Sequence, residues 1–81
     1  MTDQETQKIY LLDATGKFCP TPIEETAKKV EEIEVGGIIK LISDDPEVFS
    51  ELSAWCKTNG HRVIGHYVQN YVYTIYVEKK H

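Results

Sequence analysis

The stretch Phe18-Cys19-Pro20-Thr21-Pro22 places a cysteine between a predicted strand and a predicted helix. Each proline fixes its own φ and lacks a backbone donor, so both belong outside a helix or in its first turn. Pro22 disfavours the α region for Thr21, which predicts Thr21 as the helix N-cap and Pro22 as the first helical residue. Glu24, three residues after Thr21, completes a capping box. We therefore expect Cys19 to lie in a stiff turn immediately before a helix.

This position favours an ionised cysteine. The thiolate performs sulfur chemistry, and a free cysteine with a pKa of about 8.5 is mostly protonated at neutral pH. A helix N-terminus and the nearby Lys17 both favour the anion. The alternative is a buried structural cysteine, which a proline-rich turn disfavours. The sequence thus predicts a reactive thiolate at Cys19.

Length and composition indicate one small globular domain. The chain has 81 residues, of which 41% are hydrophobic and 27% charged. We expect a flexible N-terminus at residues 1–7 and a single folded domain at 8–81. No apolar run is long enough to span a membrane, and the polar residues 1–5 do not resemble a signal peptide, so a cytoplasmic protein is expected. A net charge of -4 with scattered basic residues argues against direct nucleic-acid binding.

The pattern along the chain predicts the order β-α-β-α-β-β. Strands are expected at 8–13, 38–43, 61–68 and 71–78, with helices starting near Pro22 and Asp45. Asp45 reads as an N-cap and Pro46 as the first residue of the second helix. Right-handed crossovers place both helices on one face of a four-stranded mixed sheet. The predicted fold class is α+β, a two-layer α/β sandwich with one sheet face open.

Apolar spacing predicts which side chains form the core. The first helix carries a stripe at Ile23, Ala27, Val30 and Ile33, and the second at Val48, Phe49, Leu52, Trp55 and Cys56. Gly36-Gly37 and Asn59-Gly60 are expected to end the helices. After a turn at Gln69-Asn70, the last strand is expected to face the helices with Tyr71, Tyr73, Ile75 and Val77.

The motif around Cys19 also resembles a known family. The residues are Leu12-Asp13-Ala14-x-Gly16-x-x-Cys19-Pro20-x-Pro22, then Asp44-Asp45-Pro46, Trp55-Cys56 and Lys79. From Leu11 to Lys79 the chain resembles the TusA-like (SirA/YedF) sulfur-carrier family. The resemblance implies that Cys19 accepts sulfane sulfur as a persulfide and passes it on without a cofactor. The implied supporting residues are Asp13, Gly16, Pro20, Pro22, Asp45 and Pro46.

The resemblance further implies a sulfurtransferase that acts stoichiometrically between two proteins. Its donor would be a cysteine desulfurase or a rhodanese-type protein, and its acceptor a protein of a sulfur-relay pathway. The chain departs from the tRNA-thiolation type of this family, which looks to have Arg in place of Phe18 and Glu in place of Thr21. The alternative hypothesis is a non-catalytic binding or regulatory module in which Cys19 is redox-sensing or vestigial. A thiol–disulfide oxidoreductase is disfavoured, because the chain lacks a Cys-x-x-Cys arrangement.

Several residues allow two interpretations. Asp45 caps the second helix or helps to dock the donor, and Asp13 anchors the following loop or simply ends a strand. Cys56 packs in the core or acts as a resolving thiol for Cys19, with core packing favoured and a disulfide between the two disfavoured.

Two further kinds of site are disfavoured. A zinc site formed by Cys56, His61 and His66 fails, because residues five apart in a strand point to opposite faces. No metal is therefore expected. The tyrosines of the last two strands could stack on nucleic-acid bases, but without a basic surface they are expected to be part core and part exposed sheet.

Overall fold

The computed structural model describes residues 8–81, so the expected flexibility of 1–7 lies outside the described residues. Six elements follow in the predicted order β-α-β-α-β-β. They are β1 (Ile9–Asp13), α1 (Thr21–Glu32), β2 (Ile38–Ser43), α2 (Val48–Asn59), β3 (Arg62–Gln69) and β4 (Val72–Glu78).

The four strands form one mixed sheet in the order β1-β2-β4-β3. β1 and β2 are parallel, with Ile9 opposite Ile38 and Asp13 opposite Ile42. β4 lies between β2 and β3 and is antiparallel to both. Because β1 and β2 run in the same direction, their carboxyl ends lie at the same edge of the sheet, and the loops that follow them meet there.

One face of the sheet packs against both helices, as predicted. Ile39, Leu41, Ile75 and Val77 from the two central strands are at most 1% exposed. They share one cluster with side chains from the helices and the segments that flank them, namely Ala14, Val30, Ile33, Val48, Leu52 and Cys56. Alternation along β1 leaves Ile9 and Leu11 on the other face, where they are 58% and 61% exposed. The predicted two-layer sandwich with an open sheet face is confirmed.

The predicted hairpin turn is wrong by one residue. The turn between β3 and β4 consists of Asn70 and Tyr71, both with positive φ (53° and 64°). Tyr71 is 88% exposed and does not face the helices, whereas Tyr73 packs against the core. The left-handed conformation favours Asn and Gly but rarely Tyr, so the sequence gives little indication that Tyr71 belongs to the turn.

The helices end at different kinds of stop. Gly60 follows α2 in the left-handed conformation (φ 77°), as the Asn59-Gly60 pair predicted. α1 ends at Glu32, before the predicted Gly36-Gly37, and the Lys79 Nζ donates a hydrogen bond to the Ile33 carbonyl there at 2.7 Å. Within residues 8–81, neither helix has the length and apolar character that crossing a membrane requires.

Candidate functional site

The candidate site is formed by two loops at the carboxyl edge of β1 and β2. The first runs from Asp13 to the start of α1 and contains Cys19, and the second joins β2 to α2. Two hydrogen bonds connect the loops: the Gly16 N–H donates to Asp44 Oδ1 at 3.0 Å, and the Cys19 N–H donates to Asp45 Oδ2 at 2.7 Å. The topology therefore brings the two sequence motifs together although 26 residues separate Cys19 from Asp45.

Cys19 occupies a closed turn. The Thr21 N–H donates to the Phe18 carbonyl at 2.9 Å, and the Cys19–Pro20 peptide bond is cis. Cys19 itself is half-buried. The neighbouring Phe18 is 65% exposed, so a large apolar side chain stands in solvent next to the cysteine.

The predicted capping box at the start of α1 is wrong. The helix already begins at Thr21, preceded by Pro20, and no side chain caps it. Pro22 is the second helical residue and is buried, and the Glu24 N–H donates to the Pro20 carbonyl at 2.9 Å. Because the closed turn supplies backbone acceptors for the first helical N–H groups, Thr21 has no capping role.

Asp45 connects the cysteine turn to α2. Its carboxylate accepts the Glu47 N–H through Oδ1 at 3.0 Å and the Cys19 N–H through Oδ2 at 2.7 Å. α2 begins at Val48, so Asp45 and Pro46 lie in the turn before the helix and not at its cap and first position as predicted. The carboxylate still satisfies a backbone N–H at the helix entry. The structure adds the bond to Cys19, which the cap prediction did not include.

The loop after β1 is anchored by Asp13 and Gly16. Asp13 Oδ1 accepts hydrogen bonds from the Thr15 N–H at 3.0 Å and the Thr15 hydroxyl at 2.7 Å, and these bonds lower the pKa of the Asp13 carboxyl. The loop-anchor interpretation of Asp13 therefore fits the structure better than a plain strand end. Gly16 has φ +81°, a conformation that L side chains rarely adopt.

The expected thiolate environment at Cys19 is wrong. Removal from solvent, a hydrogen bond to the Asp45 carboxylate and the negative charges of Asp45, Glu51 and Glu47 raise the pKa of Cys19 to about 12. Lys17, the predicted stabilising cation, forms an ion pair with Glu25 at 2.7 Å. Cys19 is therefore a neutral thiol in the isolated chain.

The other candidate residues do not join this site. Cys56 is 2% exposed in the core, as predicted, and burial raises its pKa to about 11. Both cysteines are free thiols. His61 stacks against Trp55, and His66 stacks against Phe49. Within residues 8–81, no group of three or more His, Cys, Asp or Glu side chains is arranged to hold a metal ion.

Sequence reasoning assigned no role to four residues that shape the site. Thr15 holds the Asp13 carboxylate, and Asp44 holds the Gly16 N–H. The Ser43 hydroxyl accepts the Asp45 N–H at 3.1 Å, and Glu51 adds negative charge at Cys19. The order of the strands was the only available signal, because it places the Asp44-Asp45 pair beside the cysteine loop.

Comparison with known proteins finds relatives over most of the chain. A family model described as sulfurtransferase TusA matches residues 10–79. The chain is 35% identical over 69 residues to the sulfur carrier protein TusA of Pseudomonas entomophila, covering 85% of this chain and 86% of that protein. It is 30% identical to the sulfur carrier protein TusA of Pseudomonas syringae, covering 85% of this chain and 82% of that protein.

A solved structure supports the fold. The crystal structure of a SirA-like protein from Desulfitobacterium hafniense superposes with a TM-score of 0.78 at 23% sequence identity. The superposition covers 90% of this chain and 99% of that chain.

Proposed function

The chain belongs to the TusA sulfurtransferase family, and on this premise we propose that it is a sulfur carrier whose Cys19 accepts sulfane sulfur as a persulfide. The observation that carries the proposal is the placement of Cys19. It is half-buried in a closed turn, and its backbone is fixed by the 2.7 Å bond to Asp45. The second cysteine, Cys56, is 2% exposed and is inaccessible to a protein partner.

The reaction consists of two displacements at sulfur. In the first, the Cys19 thiolate attacks the terminal sulfur of a donor persulfide R–S–SH. A new S–S bond forms on Cys19, and the donor leaves as R–S⁻. In the second, an acceptor thiolate attacks the outer sulfur of Cys19–S–SH, and Cys19 leaves as a thiolate. Each step moves one sulfur atom without an external oxidant or reductant, and the carrier ends as it began.

Donor and acceptor are both proteins in this proposal. A cysteine desulfurase or a rhodanese-type protein supplies the persulfide, and the acceptor belongs to a sulfur-relay pathway. We place the chain in the cytoplasm, where a reducing environment would keep Cys19 available as a thiol. Residues 8–81 act as a single domain, since both helices and the sheet contribute to one core.

Mass spectrometry tests this proposal. The reduced chain is incubated with a cysteine desulfurase and cysteine, and separately with a rhodanese and thiosulfate. We expect the Cys19 peptide to gain one sulfur atom, the Cys19→Ser variant to gain none, and the Cys56→Ser variant to load like the wild type. If partners bind while no donor loads Cys19, the chain is the binding or regulatory module of the alternative hypothesis.

A further inference from the structure

Asp45 is the most constrained carboxylate of the site. It is 6% exposed, and both of its carboxylate oxygens accept backbone N–H groups, one from Cys19 and one from Glu47. Its own N–H donates to the Ser43 hydroxyl at 3.1 Å, and its carbonyl accepts the Val48 N–H at 3.1 Å. The side chain is therefore fixed, and its negative charge stays beside the cysteine turn.

Among residues 8–81, three carboxylates place negative charge at Cys19. Asp45 comes from the loop after β2, and Glu47 and Glu51 come from the start of α2. The nearest basic residue in sequence, Lys17, is paired with Glu25. Asp44 bonds the same loop at a different residue, where its Oδ1 accepts the Gly16 N–H at 3.0 Å.

We propose that Asp45 is a positioning residue whose fixed carboxylate adds negative charge beside Cys19 and keeps the sulfur unreactive until a partner protein brings a positive charge to this edge of the sheet. The proposal rests on the proposed function and adds a regulation to it. It names the partner surface by its chemistry: Lys or Arg side chains that offset the charges of Asp45, Glu47 and Glu51 while the donor or acceptor sulfur reaches Cys19.

The same charge acts on both displacements. In loading, it disfavours the attacking thiolate of Cys19. In unloading, Cys19 leaves as a thiolate when its bond to the outer sulfur breaks, and a sulfur of higher pKa leaves more slowly. A neutral or anionic small thiol therefore exchanges slowly with either state. While free in solution, the carrier retains the sulfur on Cys19, and it releases that sulfur when it binds a cationic partner surface.

Thiol exchange with the neutral bis(2-hydroxyethyl) disulfide tests the role of Asp45 without any sulfur donor. The mixed disulfide on the Cys19 peptide is measured by mass between pH 6 and pH 10 for the wild type, Asp45→Asn and Asp44→Asn. Asp44→Asn is the matched control, because Asp44 also bonds the cysteine loop but at Gly16. Loss of one adjacent negative charge lowers a pKa by about 1–3 units, so Asp45→Asn is expected to exchange about tenfold faster at pH 7 and to reach its plateau at lower pH.

An Asp45→Asn profile that matches both the wild type and Asp44→Asn overturns the proposal. If Asp45→Asn does not fold, as judged by circular dichroism, the Glu47→Gln/Glu51→Gln variant replaces it. Both glutamates are exposed, and this variant is expected to shift the profile in the same direction by a smaller amount. An unshifted profile there also overturns the proposal.

A dicationic disulfide tests the partner charge. The ratio of exchange rates with cystamine and with bis(2-hydroxyethyl) disulfide is measured against the ratio for N-acetylcysteine amide. We expect the ratio of the cystamine rate to the bis(2-hydroxyethyl) disulfide rate to be higher for Cys19 than for N-acetylcysteine amide, and to fall in Asp45→Asn. A ratio for Cys19 equal to that of N-acetylcysteine amide contradicts the cationic partner surface. Failure of every donor to load sulfur refutes the carrier function but leaves these exchange rates unaffected, so the two failures are distinguishable.

Discussion

The raised pKa of Cys19 predicts a slow thiol in the isolated chain. The perturbation is unfolding in urea, which removes Cys19 from the Asp45 carboxylate and from the charges of Glu47 and Glu51. The rate of exchange with bis(2-hydroxyethyl) disulfide at pH 7 is then compared for the folded and the unfolded chain. After digestion, only the mixed disulfide on the peptide that contains Cys19 is counted. A short unstructured peptide with the sequence around Cys19 is the control for effects of urea on the reagent.

The size of the effect follows from the pKa of about 12 for folded Cys19. An ordinary thiol with a pKa of about 8.5 is roughly 3% ionised at pH 7, whereas a thiol with a pKa of 12 is ionised to about one part in 100,000. The thiolate fraction thus falls roughly 3,000-fold. The thiolate of higher pKa is the stronger nucleophile, with a Brønsted coefficient of about 0.4–0.5, so each thiolate reacts roughly 25- to 60-fold faster. The net expectation is exchange about 100-fold slower in the folded chain.

The pH dependence provides a second check on the same sample. The folded rate is expected to rise tenfold with each pH unit up to at least pH 10, since the titration lies above that range. A folded chain that exchanges as fast as the unfolded one, or that reaches a plateau near pH 8, refutes the electrostatic description of the site.

The remaining predictions concern stability. Cys56→Ser places a hydroxyl at a 2% exposed position and is expected to lower the free energy of unfolding by about 1–3 kcal/mol, measured by urea titration. A free energy of unfolding equal to that of the wild type would contradict the assignment of Cys56 to the core. Gly16→Ala meets no atom within 4 Å but forces alanine to φ +81°, so about 1 kcal/mol should be lost in the same titration, and no loss would argue against the left-handed conformation. The pKa values of Asp13 and Asp45 are lowered in the folded chain, so their stabilisation is complete above the unfolded value near 3.9 and lost as pH falls through the folded values. The temperature of thermal unfolding should fall from about pH 5 downward, and Asp45→Asn should make that fall shallower. An identical pH dependence in the variant would contradict the role of this carboxylate.

The fold could be predicted because local signals agree with one another. Proline and glycine mark the helix starts and ends, and apolar residues repeat with helix or strand spacing between them. α2 illustrates this: Val48, Leu52 and Cys56 are buried as the stripe requires. In α1 the pattern omitted Thr26, which is fully buried. Its hydroxyl can be buried because it donates a hydrogen bond to the Pro22 carbonyl at 2.9 Å. A polar residue that satisfies its own hydrogen bond within the helix leaves no apolar signal.

The charge at the site could not be predicted from the same information. The motif located Cys19, and its environment was then inferred from its neighbours in sequence, the helix start and Lys17. Burial raises the pKa of Cys19 most, and Asp45 adds to it. Asp45 is distant in sequence and reaches Cys19 because β1 and β2 are parallel neighbours. Lys17 is paired with Glu25 on α1, a contact that helical spacing alone does not reveal. Burial of the thiol and side-chain contacts between elements, in that order, therefore raise the pKa of Cys19.

Sulfur loading of Cys19 decides whether the chain is a sulfur carrier. The reduced chain and the Cys19→Ser variant are each incubated with a cysteine desulfurase and cysteine, or with a rhodanese and thiosulfate, and digested for peptide mass analysis. We expect one added sulfur atom, on the Cys19 peptide of the wild type alone, and its transfer to an acceptor thiol protein added afterwards. A wild-type Cys19 peptide that gains no sulfur from either donor, or sulfur that appears equally on Cys56, would contradict it.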